Sequence, residues 1–321
     1  MTVRARVPPA ARAIQKGDRR VLARAISQVE NGDPAVEPVV RALYSKTGRA
    51  TVVGITGPLG VGKSSLINLL VAHLRDHGRS VAIVAVDPSS PFTGGSVLGD
   101  RIRFDRRADD QGVFFRSMAS RGELGGVAAR TRQVARLMDA AGFDIVLVET
   151  VGSGQVDLAI RDVASTSVVV LVPHLGDEVQ TLKAGLFEIA DVFCINKSDL
   201  PGSDLARKDL TELIGLGATR SKWRPRVVQT STTETSGIAE LWSDVDAHEK
   251  FLDSSGQRAV DDRRRLSVEI VELVRERVGR ELTDRLDRDP ALRKVLDEVV
   301  ARTVDPQDAA ERLERGPRRG R

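Results

Sequence analysis

Two rhythms of apolar and polar residues alternate along the chain before giving way to one. Leu22, Ala25, Ile26 and Val29 recur at three- and four-residue spacing, which predicts a helix with one buried face. The stretch ENGDP breaks that pattern and AVEPVVRALYSK resumes it, so residues 10–47 read as helical. After TGRA come short, continuous, β-branched runs: TVVGIT (51–56), VAIVAVD (81–87), GVFFRS (112–117), DIVLVET (144–150), SVVVLVP (167–173), VFCINK (192–197) and RVVQTS (226–231). Helical patterns such as Ser64–His77 and Gly126–Ala141 lie between them. Continuous apolar strands alternating with helices predict an α/β fold, a mostly parallel sheet covered by helices on both faces. From about 248 the strands stop, and Leu266, Ile270, Val274, Val278, Leu282 and Leu286 recur every fourth residue, with Val271 and Leu273 alongside. That is a long amphipathic helix, whose stripe packs within the monomer or on a partner.

The expected organisation is an N-terminal helical arm (1–48), the α/β domain (49–247), a C-terminal helical arm (248–304) and a basic tail (305–321). The end of that tail, RLERGPRRGR, is too charged and too poor in apolar residues to be expected to fold. Composition changes this picture little. Apolar residues make up 41% of the 321 and aromatic residues only 3%, so the core must be built from Val, Leu, Ile and Ala. The formal charge of +4 is concentrated in RRVLAR, DDRRRL and RGPRRGR, and reads as solvated helix faces rather than a nucleic-acid surface. Cys194 is the only cysteine, which excludes a disulfide framework and a Cys-rich metal site; in DVFCIN it reads as a buried strand thiol. The N-terminus lacks the apolar region of a signal peptide, and no run approaches the ~18 apolar residues of a membrane span, so a cytoplasmic location is expected.

The chemistry begins at the end of the first strand. Gly57-Pro58-Leu59-Gly60-Val61-Gly62-Lys63-Ser64, followed by Ser65, matches G-x-x-x-x-G-K-[ST] between a strand and a helix, which predicts a P-loop NTPase. Small residues let successive amides curl around phosphates, and the helix N-terminus adds its positive end. Lys63 is placed to reach the β- and γ-phosphates, and the Ser64 hydroxyl to bind Mg2+. The base is read from CINKSD. Asn196-Lys197-x-Asp199 ends a predicted strand, where ligands bind in open α/β sheets. Guanine presents two adjacent donors, N1–H and N2–H2, that a carboxylate accepts in one plane, and adenine has no such pair. Asp199 therefore selects GTP, with Asn196 holding the loop and the stem of Lys197 covering the ring. TSTTETSG follows the next strand and puts Ser231, Thr232 and Thr233 at the O6 edge. Asp87 and Glu149 at strand ends, and Asp100 in a loop, are candidates for the Mg2+ shell. Gly152 lies where an amide could sense the γ-phosphate. No glutamine follows it, and Gln155 is a weak substitute, so slow intrinsic hydrolysis accelerated by a partner is expected.

Longer stretches carry a resemblance. AVDPSSPFTGGSVLGDRIRF (85–104), FRSMASRGELGGVAARTRQ (115–133), GFDIVLVETVGSGQVD (142–157) and GDEVQTLKAGLFEIADVFCINKSD (176–199) are similar to the MeaB/ArgK GTPases, whose human counterpart is the MMAA protein. The similarity runs from about 14 to 250, and the helical arms fit it too. It implies a homodimeric G-protein chaperone that uses GTP, GDP and Mg2+ to gate adenosylcobalamin loading on, and protect or reactivate, an acyl-CoA mutase. Adenosylcobalamin is then involved only through the mutase. The resemblance also implies a segment coupling nucleotide state to that partner, here GDEVQTLK with Asp177, Gln180 and Lys183, and lets Lys183 join Lys63 and Glu149 as a catalytic candidate. The family's usual G-x-P-G-x-G-K-S-T is changed: Pro58 sits one place early, Leu59 replaces the proline and Ser65 the threonine. The mutase implied is methylmalonyl-CoA mutase or a related one, and changes at 153–157, His174 and Thr232 likewise fit a divergent paralogue serving a less common mutase. Two rival expectations share the fold. A nickel- or other metallocofactor-insertion GTPase calls for Cys or His clusters, against one Cys and four His in this chain. An ATP-dependent kinase linked to amino-acid transport conflicts with Asp199.

Overall fold

The computed structural model describes residues 7–87, 110–119, 124–150, 159–173, 186–216 and 222–315. The chain divides into two compact units, 1–266 and 267–321. In the first unit, three helices come first: α1 (Pro9–Gln15), α2 (Arg19–Asn31) and α3 (Glu37–Leu43). Asp18 caps α2 by accepting from the amides of Arg20 and Val21. Gly32 ends it in the left-handed conformation, φ 66°, and Asp33-Pro34 starts the next turn. This is the punctuation that ENGDP supplies.

Seven strands follow: β1 (Thr51–Thr56), β2 (Val81–Asp87), β3 (Val113–Ala119), β4 (Ile145–Thr150), β5 (Thr166–Leu171), β6 (Val192–Ile195) and β7 (Arg226–Gln229). They form one sheet in the order β3-β2-β4-β1-β5-β6-β7, and every described pair is parallel. Among the described residues, the helices of this layered part are α4 (Lys63–Asp76), α5 (Leu124–Ala140), the short α6 (Ile160–Val163) and α7 (Leu186–Ile189), α8 (Ser203–Leu216) and α9 (Ile238–Ser255). Strand side chains alternate between two cores. Val53, Ile55, Ile145, Leu147, Val168 and Val170 pack with Leu66 and Leu70 of α4 and with Leu241 and Val245 of α9. Val84, Val146, Val148 and Val169 pack on the opposite face with Ile26, Leu43, Val134 and Met138. Each fully buried aliphatic side chain contributes about 1.5–3 kcal/mol. Burial on both faces explains why the strands read as unbroken apolar runs. Gly54 is needed where α6 meets β1, because a Cβ there would lie 2.2 Å from Cγ1 of Ile160.

The N-terminal edge of the sheet carries a closed set of polar contacts. Asp139, near the end of α5, accepts from the amides of Gly48, Arg49 and Ala50. Glu249 of α9 accepts from Ser165 Oγ at 2.6 Å, Thr166 Oγ1 at 2.5 Å and Arg258 Nη2 at 2.9 Å. The Thr166 hydroxyl gives its proton to Glu249 and so accepts from His248 Nδ1, 2.8 Å away. That leaves His248 Nε2 facing Asp191 Oδ1 at 3.4 Å. Burial pushes His248 down to about 4 and Asp191 up to about 7.

Helix α10 (Gln257–Arg288) begins in the first unit and continues in the second, which also holds α11 (Pro290–Val300) and α12 (Pro306–Arg315). Residues 247 and 248, where a boundary was expected, lie within α9. The expectation of an unfolded tail is corrected over 306–315. Asp305 accepts from the amides of Gln307 and Asp308, Pro306 opens the helix, Ala309 is buried and Arg312 pairs with Glu298 at 3.0 Å. An N-cap and a proline at the first helical position outweigh the charge of the segment. On α10, Ile270, Val271, Leu273, Val274 and Val278 are exposed.

Candidate functional site

The C-terminal edge of the sheet collects the motif residues. β1 ends at Thr56, and the loop that follows turns on glycines that only glycine suits. Gly57 has φ 141° and lies so close to β5 that a Cβ would come 2.1 Å from the Val170 carbonyl oxygen. Gly62, φ 93°, sits under Asn196, whose Nδ2 would be 2.5 Å from a Cβ. Gly62 also precedes the first turn of α4 without a side-chain cap, so the amides that open the helix are directed at the space over the loop. Lys63 is buried, and its Nζ donates to the carbonyls of Gly57 at 2.7 Å and Pro58 at 2.9 Å. Ser64 Oγ donates to Glu149 Oε1 at 2.7 Å. Ser65 is exposed and Leu59, at 72%, is nearly free of the protein.

A second cluster closes on the first from β6 and β7. Asn196, fully buried, donates from Nδ2 to the Val61 carbonyl at 2.7 Å, and its Oδ1 accepts from Thr230 Oγ1 at 3.2 Å. Lys197 takes a left-handed backbone, φ 57°, and its Nζ reaches the Gly60 carbonyl at 2.9 Å. Asp199 Oδ1 accepts from Ser231 Oγ at 2.5 Å, and that hydroxyl in turn accepts from the amide of Glu234 at 3.1 Å. Thr232 is half-buried and Thr233 exposed in the turn that follows, which closes through the paired backbones of Ser231 and Ser236. The two motifs, far apart in sequence, are thus joined at Asn196–Val61 and Lys197–Gly60. Chemically the edge offers a helix N-terminus and a lysine for phosphates, two oxygen donors for a hard cation, and an oriented carboxylate for a pair of donors.

Asp87 is the last residue of β2, one strand from Glu149 in the sheet order, with its side chain outside the described residues. Asp100, Gly152, Gln155, Asp177, Gln180 and Lys183 lie outside the described residues altogether. The reading of the motifs missed Thr230, whose hydroxyl links Asn196 to the Cys194 thiol at 3.1 Å, and the buried pair Thr56 and Thr150. Burial pushes the Cys194 thiol up to about 12, as suits a structural side chain. Thr closes β1 and β4 and directly follows β7, a recurrence that could have drawn attention to all three.

Known proteins extend this picture beyond the motifs. A putative GTPase of Pyrococcus abyssi is 44% identical over 303 residues, 94% of this chain and 93% of its own. The mouse protein called methylmalonic aciduria type A homolog, mitochondrial, is 32% identical over 281 residues, 82% of this chain and 68% of its own. Among solved structures, an LAO/AO transport system kinase superposes with a TM-score of 0.70 at 26% identity, covering 98% of both chains. Its likeness takes in the whole length rather than the P-loop core alone. Residues 22–287 match the family described as methylmalonyl-CoA mutase-associated GTPase MeaB. With the phosphate loop, the guanine-type motif and this long match in agreement, the chain belongs to the MeaB family of GTPases.

Proposed function

We propose that this GTPase gates the loading of adenosylcobalamin on an acyl-CoA mutase and protects or reactivates that enzyme, working as a homodimer in the cytoplasm. The observation that carries the nucleotide half is Asp199. Its carboxylate is oriented by Ser231 beside the phosphate loop, and its own loop is tied to that loop through Asn196 and Lys197. Guanine N1–H and N2–H2 meet that carboxylate, Ser231–Thr233 line the O6 edge, and Gly57–Ser65 cradle the phosphates. Lys63 leaves the carbonyls of Gly57 and Pro58 for the β- and γ-phosphates. The donor set fits a hard divalent ion, because Ser64 Oγ and Glu149 Oε1 already lie 2.7 Å apart at the head of α4. Mg2+ held there, with Asp87 and Asp100 in its outer shell, would neutralise charge on the phosphates. Lys183 adds positive charge at the γ-phosphate, and Gly152, Gln155, Asp177 and Gln180 carry the nucleotide state to the partner. Slow intrinsic turnover follows from the lack of a glutamine after Gly152.

The mutase half is supported by the family description and by the name of the mouse relative. The dimer is supported by the exposed Ile270, Leu273, Val274 and Val278 at helical spacing on α10, a stripe that a second copy would cover. A kinase linked to amino-acid transport is disfavoured by Asp199, which has no pair of donors to accept from adenine. Capture experiments with the full chain test the proposal. A cobalamin-dependent mutase should be retained with a non-hydrolysable GTP analogue and with GDP to different extents. Equal retention, or none, would contradict the gating role.

A further inference from the structure

Thr56 and Thr150 are the last residues of β1 and β4, and neither belongs to a nucleotide motif. Thr56 is fully buried and Thr150 is 2% exposed, and the Thr150 hydroxyl donates to that of Thr56 at 2.8 Å. The backbone ladder between these strands runs only to Ile55 opposite Glu149. One residue further on, Thr56 enters the phosphate loop and Thr150 leaves Glu149 behind. On its other side Thr56 is still registered with Val169 of β5. The start of the phosphate loop is therefore tied to β5 through backbone and to β4 through two hydroxyls. Side chains alternate along a strand, so Glu149 faces α4 while Thr150 faces the opposite core with Val146 and Val148. The contact joins the residue after Glu149 to the start of the phosphate loop on the sheet face opposite α4.

We infer that Thr56 and Thr150 are positioning residues: their hydroxyl contact sets the span between Ser64 and Glu149 so that both oxygens serve one Mg2+ ion. This rests on the assignment of Ser64 and Glu149 to the metal. Valine keeps the shape of threonine and removes the hydroxyl, so either Thr→Val change frees the two strand ends to move apart. Small displacements of groups that must converge on one centre cost far more in function than in stability.

The test measures the affinity of the full chain for a fluorescent GTP analogue with EDTA and with Mg2+, together with turnover and thermal unfolding. In wild type, Mg2+ should strengthen binding. Thr150→Val should bind as wild type in EDTA, lose about tenfold of the Mg2+ gain, and lose kcat in proportion. Thr56→Val should do the same, and the double variant should lose clearly less than the two single losses combined, because both remove the contact they share. Thr150→Ser, which keeps the hydroxyl, should restore the gain. Glu149→Gln, which alters the metal ligand itself, should abolish it. Full Mg2+ gain in Thr150→Val, with the gain lost in Glu149→Gln, overturns the positioning role and leaves the metal assignment standing. Full gain in Glu149→Gln overturns the metal assignment and this inference with it. Fully additive losses in the double variant also overturn it.

Discussion

At the N-terminal edge of the sheet the buried carboxylates are met by several donors from the protein itself, whereas at the C-terminal edge two lysines rest on backbone carbonyls of the phosphate loop. Asp139 takes three consecutive backbone amides, and Glu249 takes two hydroxyls and a guanidinium. Lys63, by contrast, lies on carbonyls of its own loop, and Lys197 on that of Gly60. The first arrangement is a fastening, since removing a carboxylate leaves its donors unmatched and removing the donors leaves a buried charge. The second, on the proposed reading, is a cradle in which an incoming phosphate replaces the carbonyls that Lys63 holds. One sheet therefore fastens its carboxylates at one end and, at the other, holds two lysines on carbonyls that a ligand could replace.

Substitutions at the two edges should separate activity from stability. Lys63→Ala should lower GTP hydrolysis by about a hundredfold or more, because the loss falls on charge that develops at the transferred phosphate. Its thermal midpoint should move by no more than ~2 °C. Glu249→Ala should do the reverse, costing roughly 3 kcal/mol in denaturant unfolding while the folded fraction binds GTP as wild type. If Lys63→Ala unfolded the protein, or Glu249→Ala lost nucleotide affinity, the division between edges would fail.

A smaller effect sharpens the same division. His248, lowered to about 4, is neutral in the folded state where the unfolded chain still protonates it, so its contribution makes stability rise with pH from about 4 to 6.5. Asp191, raised to about 7, keeps its proton in the folded state where the unfolded chain has lost it, so its contribution falls as pH rises from about 4 to 7. The slopes oppose each other over most of that window. Asp191→Asn should therefore reveal a stability that climbs with pH, and His248→Gln one that declines, in melts from pH 4 to 7. Parallel curves for the two variants would break the assignment of the pair as a neutral, closed unit.

The two edges also differ in how far the sequence reveals them. The phosphate loop and Asn196–Asp199 were legible because the chemistry demands fixed spacing over a few residues, and the strands because burial on both faces leaves them uniformly apolar. Nothing local announces that Glu249 will meet Ser165, or Thr150 meet Thr56, since those contacts join residues more than eighty positions apart. Helix α12 is a different case. Asp305-Pro306 is a helix-start signature present in the sequence, overshadowed there by the arginines that follow.

Base recognition at Asp199 bears most directly on the C-terminal edge. The measurement is the affinity of wild type and Asp199→Asn for GTP and for xanthosine triphosphate. An asparagine amide donates to the carbonyl that replaces the guanine amino group, so the variant should lose GTP affinity by about tenfold or more and gain affinity for the xanthine nucleotide. Unchanged GTP affinity in Asp199→Asn would contradict the placement of guanine at this carboxylate.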